Sequence, residues 1–133
     1  MNKERLEMID KYIKSNVGPI LISNASFKDV ETAIILKSNI DKSELTGHYE
    51  NTTYCPPKWY QELVDMSKTK YSLLVIEKIN EIPIEEQPKF IEILKYHKIS
   101  TFKLPENCCV VATCTDLTTN KINEDVYTLL AHL

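Results

Sequence analysis

Residues 73–117 read LLVIEKINEIPIEEQPKFIEILKYHKISTFKLPENCCVVATCTDL and carry the clearest pattern in the chain. The almost continuous apolar run from Tyr71 to Ile76 is typical of a strand that is buried on both faces. A proline-led helix over about 84–96 and a turn at 105–107 follow, and Cys108 to Thr113 forms a second buried strand. This strand–helix–strand order predicts two parallel strands of one sheet.

The N-terminal segments continue the alternation of helices and strands. Apolar residues at helical spacing predict a helix over 3–16, which Gly18-Pro19 ends. The run Ile20 to Ile22 predicts a short buried strand, followed by a turn at 23–26 and a second helix over about 27–38. From these elements we predict an α/β fold whose parallel sheet is flanked by helices on both faces.

Three further segments give weaker signals. A strand is expected near 45–53, a short helix begins at Pro56-Pro57, and residues 99–104 alternate weakly between apolar and polar positions. A final helix is expected to run through Leu130, with Thr119 or Asn120 as its N-cap.

The composition describes an ordinary globular chain. Its 133 residues, of which 43% are hydrophobic and 26% charged, predict a single domain over 1–133. No apolar run approaches the roughly 20 residues that span a bilayer, and the N-terminus lacks the apolar core of a secretory signal. We therefore expect a cytoplasmic protein without a membrane partner, whose four cysteines are free thiols.

A nucleic-acid partner is not expected. The net charge is -3, and Lys37, Lys42, Lys68 and Lys70 are scattered rather than clustered.

The order of these segments is more specific than the fold class. GPILISNASFKDVETAIIL (18–36) has the shape of a strand, a phosphate loop and its helix, and PPKWYQELVDM (56–66) precedes the stretch quoted above. In that stretch an apolar strand ends in polar residues followed by Ile-Asn, and a proline-led helix, a Leu-Pro turn and a second strand come next. Together with the closing LLAHL (129–133), this order resembles the nucleotide-binding core of AAA+ ATPases of the MoxR type.

The resemblance implies a phosphate loop at Ser23 to Val30, but the residue types depart from the family pattern. The loop positions are Ser23, Asn24, Ala25, Ser26, Phe27, Lys28, Asp29 and Val30. A phosphate loop needs glycines so that successive backbone N–H groups can surround the phosphates, and these positions contain none. The lysine position falls on Asp29 and the Mg²⁺-binding hydroxyl on Val30, although a shift of one residue would use Lys28.

The other implied functional positions also depart from the pattern. The acidic pair that would bind Mg²⁺ and activate water falls on Glu77 and Lys78, and a protonated lysine cannot be the base. These two residues are equally well explained as polar residues that close a buried strand. The polar sensor falls on Thr115, with Cys114 and Asp116 as its neighbours, and the arginine that reaches a ring neighbour falls on Leu129.

Taken together, these departures predict a catalytically inactive AAA+-like core without the helical lid and without a bound cofactor. We expect a binding, regulatory or scaffold module, with a protein partner for which a AAA+ ATPase is a candidate, and self-association stays open. The alternative is a weak or divergent ATPase that binds ATP with Mg²⁺ through Glu77 and Lys28 in an altered pose.

Two other site types have little support from the sequence. Cys108, Cys109 and Cys114 with a histidine (His48, His97 or His132) lack the paired spacing of structural zinc sites, so no metal is predicted. A Cys-His hydrolase with Cys55 and either His48 or His97 has no support from spacing. These cysteines, and Trp59, are expected to be structural.

Overall fold

The computed structural model describes residues 3–14, 18–115 and 121–132. The helices are α1 (Lys3–Lys14), α2 (Lys42–Thr46), α3 (Lys58–Ser67), α4 (Ile91–Tyr96) and α5 (Glu124–Tyr127), with short 3-10 helices at Ile79–Glu81 and Ile84–Phe90. The strands are β1 (Ile20–Ser23), β2 (Ala33–Lys37), β3 (His48–Glu50), β4 (Thr53–Cys55), β5 (Ser72–Glu77), β6 (Lys98–Ile99), β7 (Phe102–Lys103), β8 (Cys108–Cys114) and β9 (Ala131–His132).

Five strands of the described chain form one sheet in the order β2-β5-β8-β1-β9. Every pair in this sheet is parallel. The strands β3 and β4 form an antiparallel hairpin outside the sheet, and β6 and β7 form another. The α/β fold with a parallel sheet flanked by helices is thus confirmed.

The central strands are buried on both faces, as their continuous apolar runs predicted. Along β5, Leu74 and Ile76 contact the core formed with α3 and α4, whereas Leu73 and Val75 contact the core formed with α1. Successive side chains of a strand point to opposite faces, so a strand covered on both sides must be apolar throughout. We call these two sides the α3 face and the α1 face.

The helix predicted over 27–38 is wrong. Residues 24–32 form an irregular connection, and residues 33–37 form β2, which pairs with β5 from Ala33↔Leu73 to Lys37↔Glu77. The spacing of Phe27 and Val30 is typical of a helix, but both side chains pack on the α1 face as part of the irregular connection. Pairing along an open sheet edge therefore overrode the local pattern, as tertiary context often does for short apolar runs.

Three other predictions are corrected in detail. The helix expected over 84–96 is divided into a 3-10 segment and α4, because Pro88 has no N–H for a regular helix. The strand expected near 45–53 is the end of α2 followed by the β3–β4 hairpin. The final helix is reduced to α5 with Asn123 as its N-cap, and the predicted caps Thr119 and Asn120 lie outside the described residues.

None of the described helices is both long enough and apolar enough to cross a bilayer.

Candidate functional site at the carboxyl edge of the sheet

The carboxyl ends of four parallel strands lie side by side at one edge of the sheet. The register pairs Ser23 with Cys114 and Lys37 with Glu77, so the ends of β1, β8, β5 and β2 are aligned. Ligands of open parallel sheets bind outside the carboxyl ends of the strands. The predicted strand-end positions Ser23, Glu77 and Thr115 therefore belong to the edge where a nucleotide would be expected.

At the end of β1, the chain forms hydrogen bonds with itself. Asn24 has a left-handed backbone with φ of 53°, and its N–H donates to the carbonyl of Cys114 at 2.8 Å. The guanidinium of Arg5, from α1, donates to the carbonyls of Ser23 and Asn24, the latter at 3.4 Å. A residue distant in sequence thus covers the strand end at which the phosphate loop was predicted.

The remaining phosphate-loop positions do not lead into a helix. Ala25 and Ser26 follow without regular structure, Phe27 is buried against the α1 face, and Lys28 and Asp29 are exposed. The N–H of Val30 is used in a turn, donating to the carbonyl of Phe27 at 3.0 Å. Within residues 18–115, all of which the structure describes, no helix begins between β1 and β2.

The predicted acidic-pair positions are held mainly through their backbone. Lys78 is left-handed with φ of 55°, and its N–H donates to Oγ1 of the buried Thr113 at 2.9 Å. The hydroxyl of Ser38 donates to the carbonyl of Lys78 at 2.9 Å, and its N–H donates to the carbonyl of Glu77 at 3.2 Å. The Glu77 side chain is half-buried and the Lys78 side chain is exposed.

The predicted sensor position contacts the segment after β5. Thr115 donates to Oδ1 of Asn80 through both its N–H at 3.1 Å and its Oγ1 at 3.2 Å. Asp116 lies outside the described residues, and Leu129 packs half-buried against the core of the α3 face.

A small polar cleft with a volume of about 230 Å³ opens between the ends of β2 and β5. Its lining consists of Lys37, Ser38, Asn39, Glu77, Lys78, Glu81 and Ile82. Two carboxylates and two lysines thus meet there, whereas Lys28, the alternative phosphate ligand, is outside the lining.

A larger groove, with a volume of about 1190 Å³, runs along β2 at the open edge of the sheet. Its walls include the whole of β2, residues of α2, and Pro57 and Trp59 at the start of α3. Trp59 is buried, as predicted, and its Nε1–H donates to the carbonyl of Leu45 at 3.0 Å. We call this feature the β2 groove.

Two adjacent cysteines of β8, Cys108 and Cys109, pack into the two faces of the sheet. Cys108 contacts the α3 face and Cys109 the α1 face, because adjacent residues of a strand point to opposite sides. Burial raises the pKa of Cys108 to about 12 and that of Cys109 to about 11. Both therefore remain neutral thiols near pH 7. The ring Nε2–H of His97 donates to the carbonyl of Pro105 at 3.1 Å.

The contacts of Arg5, Ser38 and Thr113 at this edge have no signature in the local sequence. Each joins segments at least 18 residues apart, namely Arg5 to Ser23, Ser38 to Lys78 and Thr113 to Lys78. The spacing of residues along the chain does not indicate which of these segments will be in contact. A polar residue at or near the end of an apolar run, as at Thr113 and Ser38, is the one feature of the sequence that marks them as candidates.

No protein-family model and no curated protein matches this chain. Solved structures resemble it in fold. NtrX from Brucella abortus has a TM-score of 0.57 and 13% identity, covering 98% of this chain and 35% of that chain. A protein from Cytophaga hutchinsonii that was assigned as an ATPase has a TM-score of 0.54 and 15% identity, covering 86% of this chain and 40% of that chain.

This chain therefore spans well under half the length of both structures. At these identities the likeness concerns the fold alone. Together with the sheet order, it supports an α/β fold built on a parallel sheet.

Proposed function

We propose that this chain is a catalytically inactive AAA+-like module that binds a partner protein. The observation that carries the proposal is the helix-free connection over residues 24–32. Phosphate binding at such an edge depends on a glycine-rich loop whose N–H groups point inward and on the N-terminus of the following helix. This chain has neither at that position.

The charges at the connection also oppose phosphate binding. Asp29 occupies the position that the resemblance assigns to the phosphate-binding lysine, and it is exposed. At ~4 Å and an effective dielectric constant of ~20, one charge pair is worth about 4 kcal/mol, so replacing attraction by repulsion weakens binding by several kcal/mol. The N–H of Asn24 already donates to the carbonyl of Cys114, so it is not available to a phosphate.

The test for nucleotide binding is thermal unfolding with and without millimolar Mg·ATP and Mg·ADP. A ligand present at 100 times its Kd adds about 2.7 kcal/mol of stability, which shifts Tm by several degrees in a domain of this size. We expect no shift. A nucleotide-dependent shift in Tm that Glu77→Gln abolishes would contradict the proposal of an inactive module. It would support the alternative, a divergent nucleotide-binding ATPase.

The surface that best supports partner binding is the β2 groove. The carbonyl of Thr32 and the N–H of Ser38 bond to β5, so residues 32, 34 and 36 direct their backbone groups to that strand. Ile35 must then direct its N–H and C=O outward, into the groove. An open strand edge with apolar walls is a template for another strand.

We infer that the occupant of the β2 groove is an extended segment of the partner that adds a strand beside β2. Main-chain hydrogen bonds to Ile35 would supply affinity in this mode, and alternate side chains of the segment would contact the walls. Those walls are apolar at Ile34, Pro57 and Trp59, and charged at their margins. The proposal therefore specifies a segment with alternating apolar residues.

A displayed library of random peptides, selected against the full chain, tests this mode with two matched variants. Ile35→Pro removes the outward N–H, which an edge strand tolerates, and Ile35→Val keeps it. We expect enriched peptides with alternating apolar residues, whose binding falls at least tenfold in Ile35→Pro and stays in Ile35→Val. Equal binding to both variants, or no enrichment, would reject the groove as the docking surface. Sedimentation of the free chain shows whether a second copy is the occupant instead.

A AAA+ ATPase is the partner class that we would examine first, since a shared fold can present similar ring surfaces. Leu129 stands where the resemblance places the arginine that reaches a ring neighbour. Equimolar mixing with a candidate ATPase should then lower its rate of hydrolysis. An unchanged rate across several candidates would remove this partner class.

A further inference from the structure

The β3–β4 hairpin brings three metal-binding side chains to one of its faces. Antiparallel pairing sets His48 opposite Cys55, and Glu50 lies two residues along the same strand as His48. Because side chains alternate along a strand, all three share one face. Their ligand atoms lie within 4.8 Å of one another, and Nε2 of His48 is 3.3 Å from Oε1 of Glu50.

The opposite face of the hairpin fixes its position on the molecule. Tyr54 stacks on Phe102 with ring centroids 5.5 Å apart, and its hydroxyl donates to the carbonyl of Thr46. Tyr49 lies against Tyr54 at 5.3 Å. At Gly47 a Cβ atom would come within 2.4 Å of the carbonyl of Cys55, so the close approach of the two strands depends on glycine there. The ligand face is thus presented on a supported hairpin.

We propose that His48, Glu50 and Cys55 form a binding site for a zinc ion. Imidazole nitrogen, thiolate sulfur and carboxylate oxygen are the three donor types that Zn²⁺ takes, at about 2.0–2.3 Å. In tetrahedral geometry such bonds place neighbouring donor atoms roughly 3.3–3.7 Å apart. Nε2 of His48 and Oε1 of Glu50 already have this separation. A rotamer change at Cys55 would bring its Sγ to the same separation from these two atoms.

The binding step balances without any redox partner. The Cys55 thiol releases its proton to solvent, its thiolate donates an electron pair to Zn²⁺, and neutral His48 and ionised Glu50 donate theirs. Water fills the fourth position, because the site is open. His48 also lines the β2 groove, so the ion would lie at one end of that groove.

The plain alternative is an exposed ion pair beside an unrelated thiol. The side chains of His48 and Glu50 are 56% and 71% exposed, and ion pairs exposed to this degree contribute little to the free energy of folding. What distinguishes this cluster is Cys55, which the strand pairing places directly opposite His48. Cys108 and Cys109 of β8 lack such an arrangement, since they point to opposite faces of the sheet.

The experiment is a titration of the reduced full chain with Co²⁺, which reports thiolate ligation by a charge-transfer band in the near ultraviolet, followed by displacement with Zn²⁺. We expect one ion per chain and a rise in Tm with Zn²⁺. Cys55→Ser should abolish the band, His48→Ala should weaken binding at least tenfold, and Glu50→Gln should weaken it less. Cys109→Ser is the matched control and should leave the band unchanged.

The three ligand substitutions lie on the β3–β4 hairpin, whereas the control Cys109→Ser lies on β8. Far-ultraviolet circular dichroism verifies that each variant is folded. A band that survives Cys55→Ser, the absence of any band in the parent chain, or equal affinity in His48→Ala would each overturn the site. The cobalt titration tests the zinc site, and the peptide selection tests the β2 groove. Failure of one proposal is therefore distinguishable from failure of the other.

Discussion

Polar side chains that lie inside the molecule connect segments that the sequence keeps far apart. Among the described residues, the buried polar side chains are Ser38, Ser67, Ser72, Gln87 and Thr113. Each has a hydrogen-bond partner, as buried polar groups require. Gln87 forms the largest set, donating to the carbonyls of Ile82 and Lys121 and accepting from the N–H of Asn123.

Replacing Gln87 by Met should destabilise the chain by about 2–4 kcal/mol, because similar volume is kept while three backbone groups lose their partner inside the protein. Urea unfolding measures the change. Gln61→Met is the control, since Gln61 is exposed and makes a single 3.4 Å bond to Pro56, and it should cost under about 0.5 kcal/mol. Equal losses in both variants would contradict the bridging role.

The two buried thiols of β8, Cys108 and Cys109, should make the free energy of unfolding depend on pH in the alkaline range. Burial raises the pKa of Cys108 to about 12 and that of Cys109 to about 11 from 9.0. The folded chain therefore keeps protons that the unfolded chain releases, so this stabilisation is complete below pH 9 and is lost as pH rises through the folded pKa values.

The free energy of unfolding should thus fall between pH 9 and pH 11, by at most about 1.4 kcal/mol per pH unit for each thiol. Cys108→Ala should make the fall shallower, and Cys55→Ala, at a partly exposed position, serves as the comparison. Urea unfolding at several pH values gives the slopes. Parallel slopes for the parent and Cys108→Ala would refute this account.

At the scale of elements, the connection between β1 and β2 departs most from expectation. It crosses the α1 face without a helix, and its buried anchor is Phe27, at 1% exposure. The helix α1 packs on the same face through Ile9 and also places Arg5 on the end of β1. An N-terminal helix and an irregular segment therefore cover this face, and the helix predicted over 27–38 is absent from it.

Phe27→Ala should destabilise the chain by about 3–5 kcal/mol, because it leaves a cavity between the connection and the sheet. The adjacent Lys28→Ala, at an exposed position, should stay within about 0.5 kcal/mol of the parent. Thermal and urea unfolding compare the two variants. A small effect of Phe27→Ala would mean that the connection does not depend on this anchor.

For the whole molecule, the sheet order sets which parts are most protected. β5 and β8 lie between paired strands and are covered on both faces, whereas β2 has one open edge and the β3–β4 hairpin lies outside the sheet. Local opening requires least free energy where few neighbours must separate.

Amide hydrogen exchange should accordingly be slowest at Leu74, Val75 and Val111 and faster at Ile35, whose N–H faces the open edge. Mass spectrometry of peptic fragments, or two-dimensional NMR, measures this order. Saturation with a peptide that occupies the β2 groove should slow exchange at Ile35 specifically. Equal exchange of β2 and β5 in the free chain would contradict the open edge.

Local sequence pattern predicted the two central strands correctly, since Leu73 to Ile76 and Cys108 to Ala112 are apolar at every position, as two covered faces require. It also predicted α1 and α3 from their helical spacing. It was wrong at residues 33–37, where the same apolar residues satisfy a helix or an edge strand. At the candidate site it located the strand ends but not the Arg5 and Ser38 contacts.

The fold class and the central strands follow from local sequence, because burial on two faces requires consecutive apolar residues. Three features follow from contacts in the folded chain instead: residues 33–37 are an edge strand, Arg5 covers the end of β1, and the ligand atoms of His48, Glu50 and Cys55 lie close together. These three outcomes depend on pairing between segments or strands, which sets distances in space that no spacing along the chain specifies.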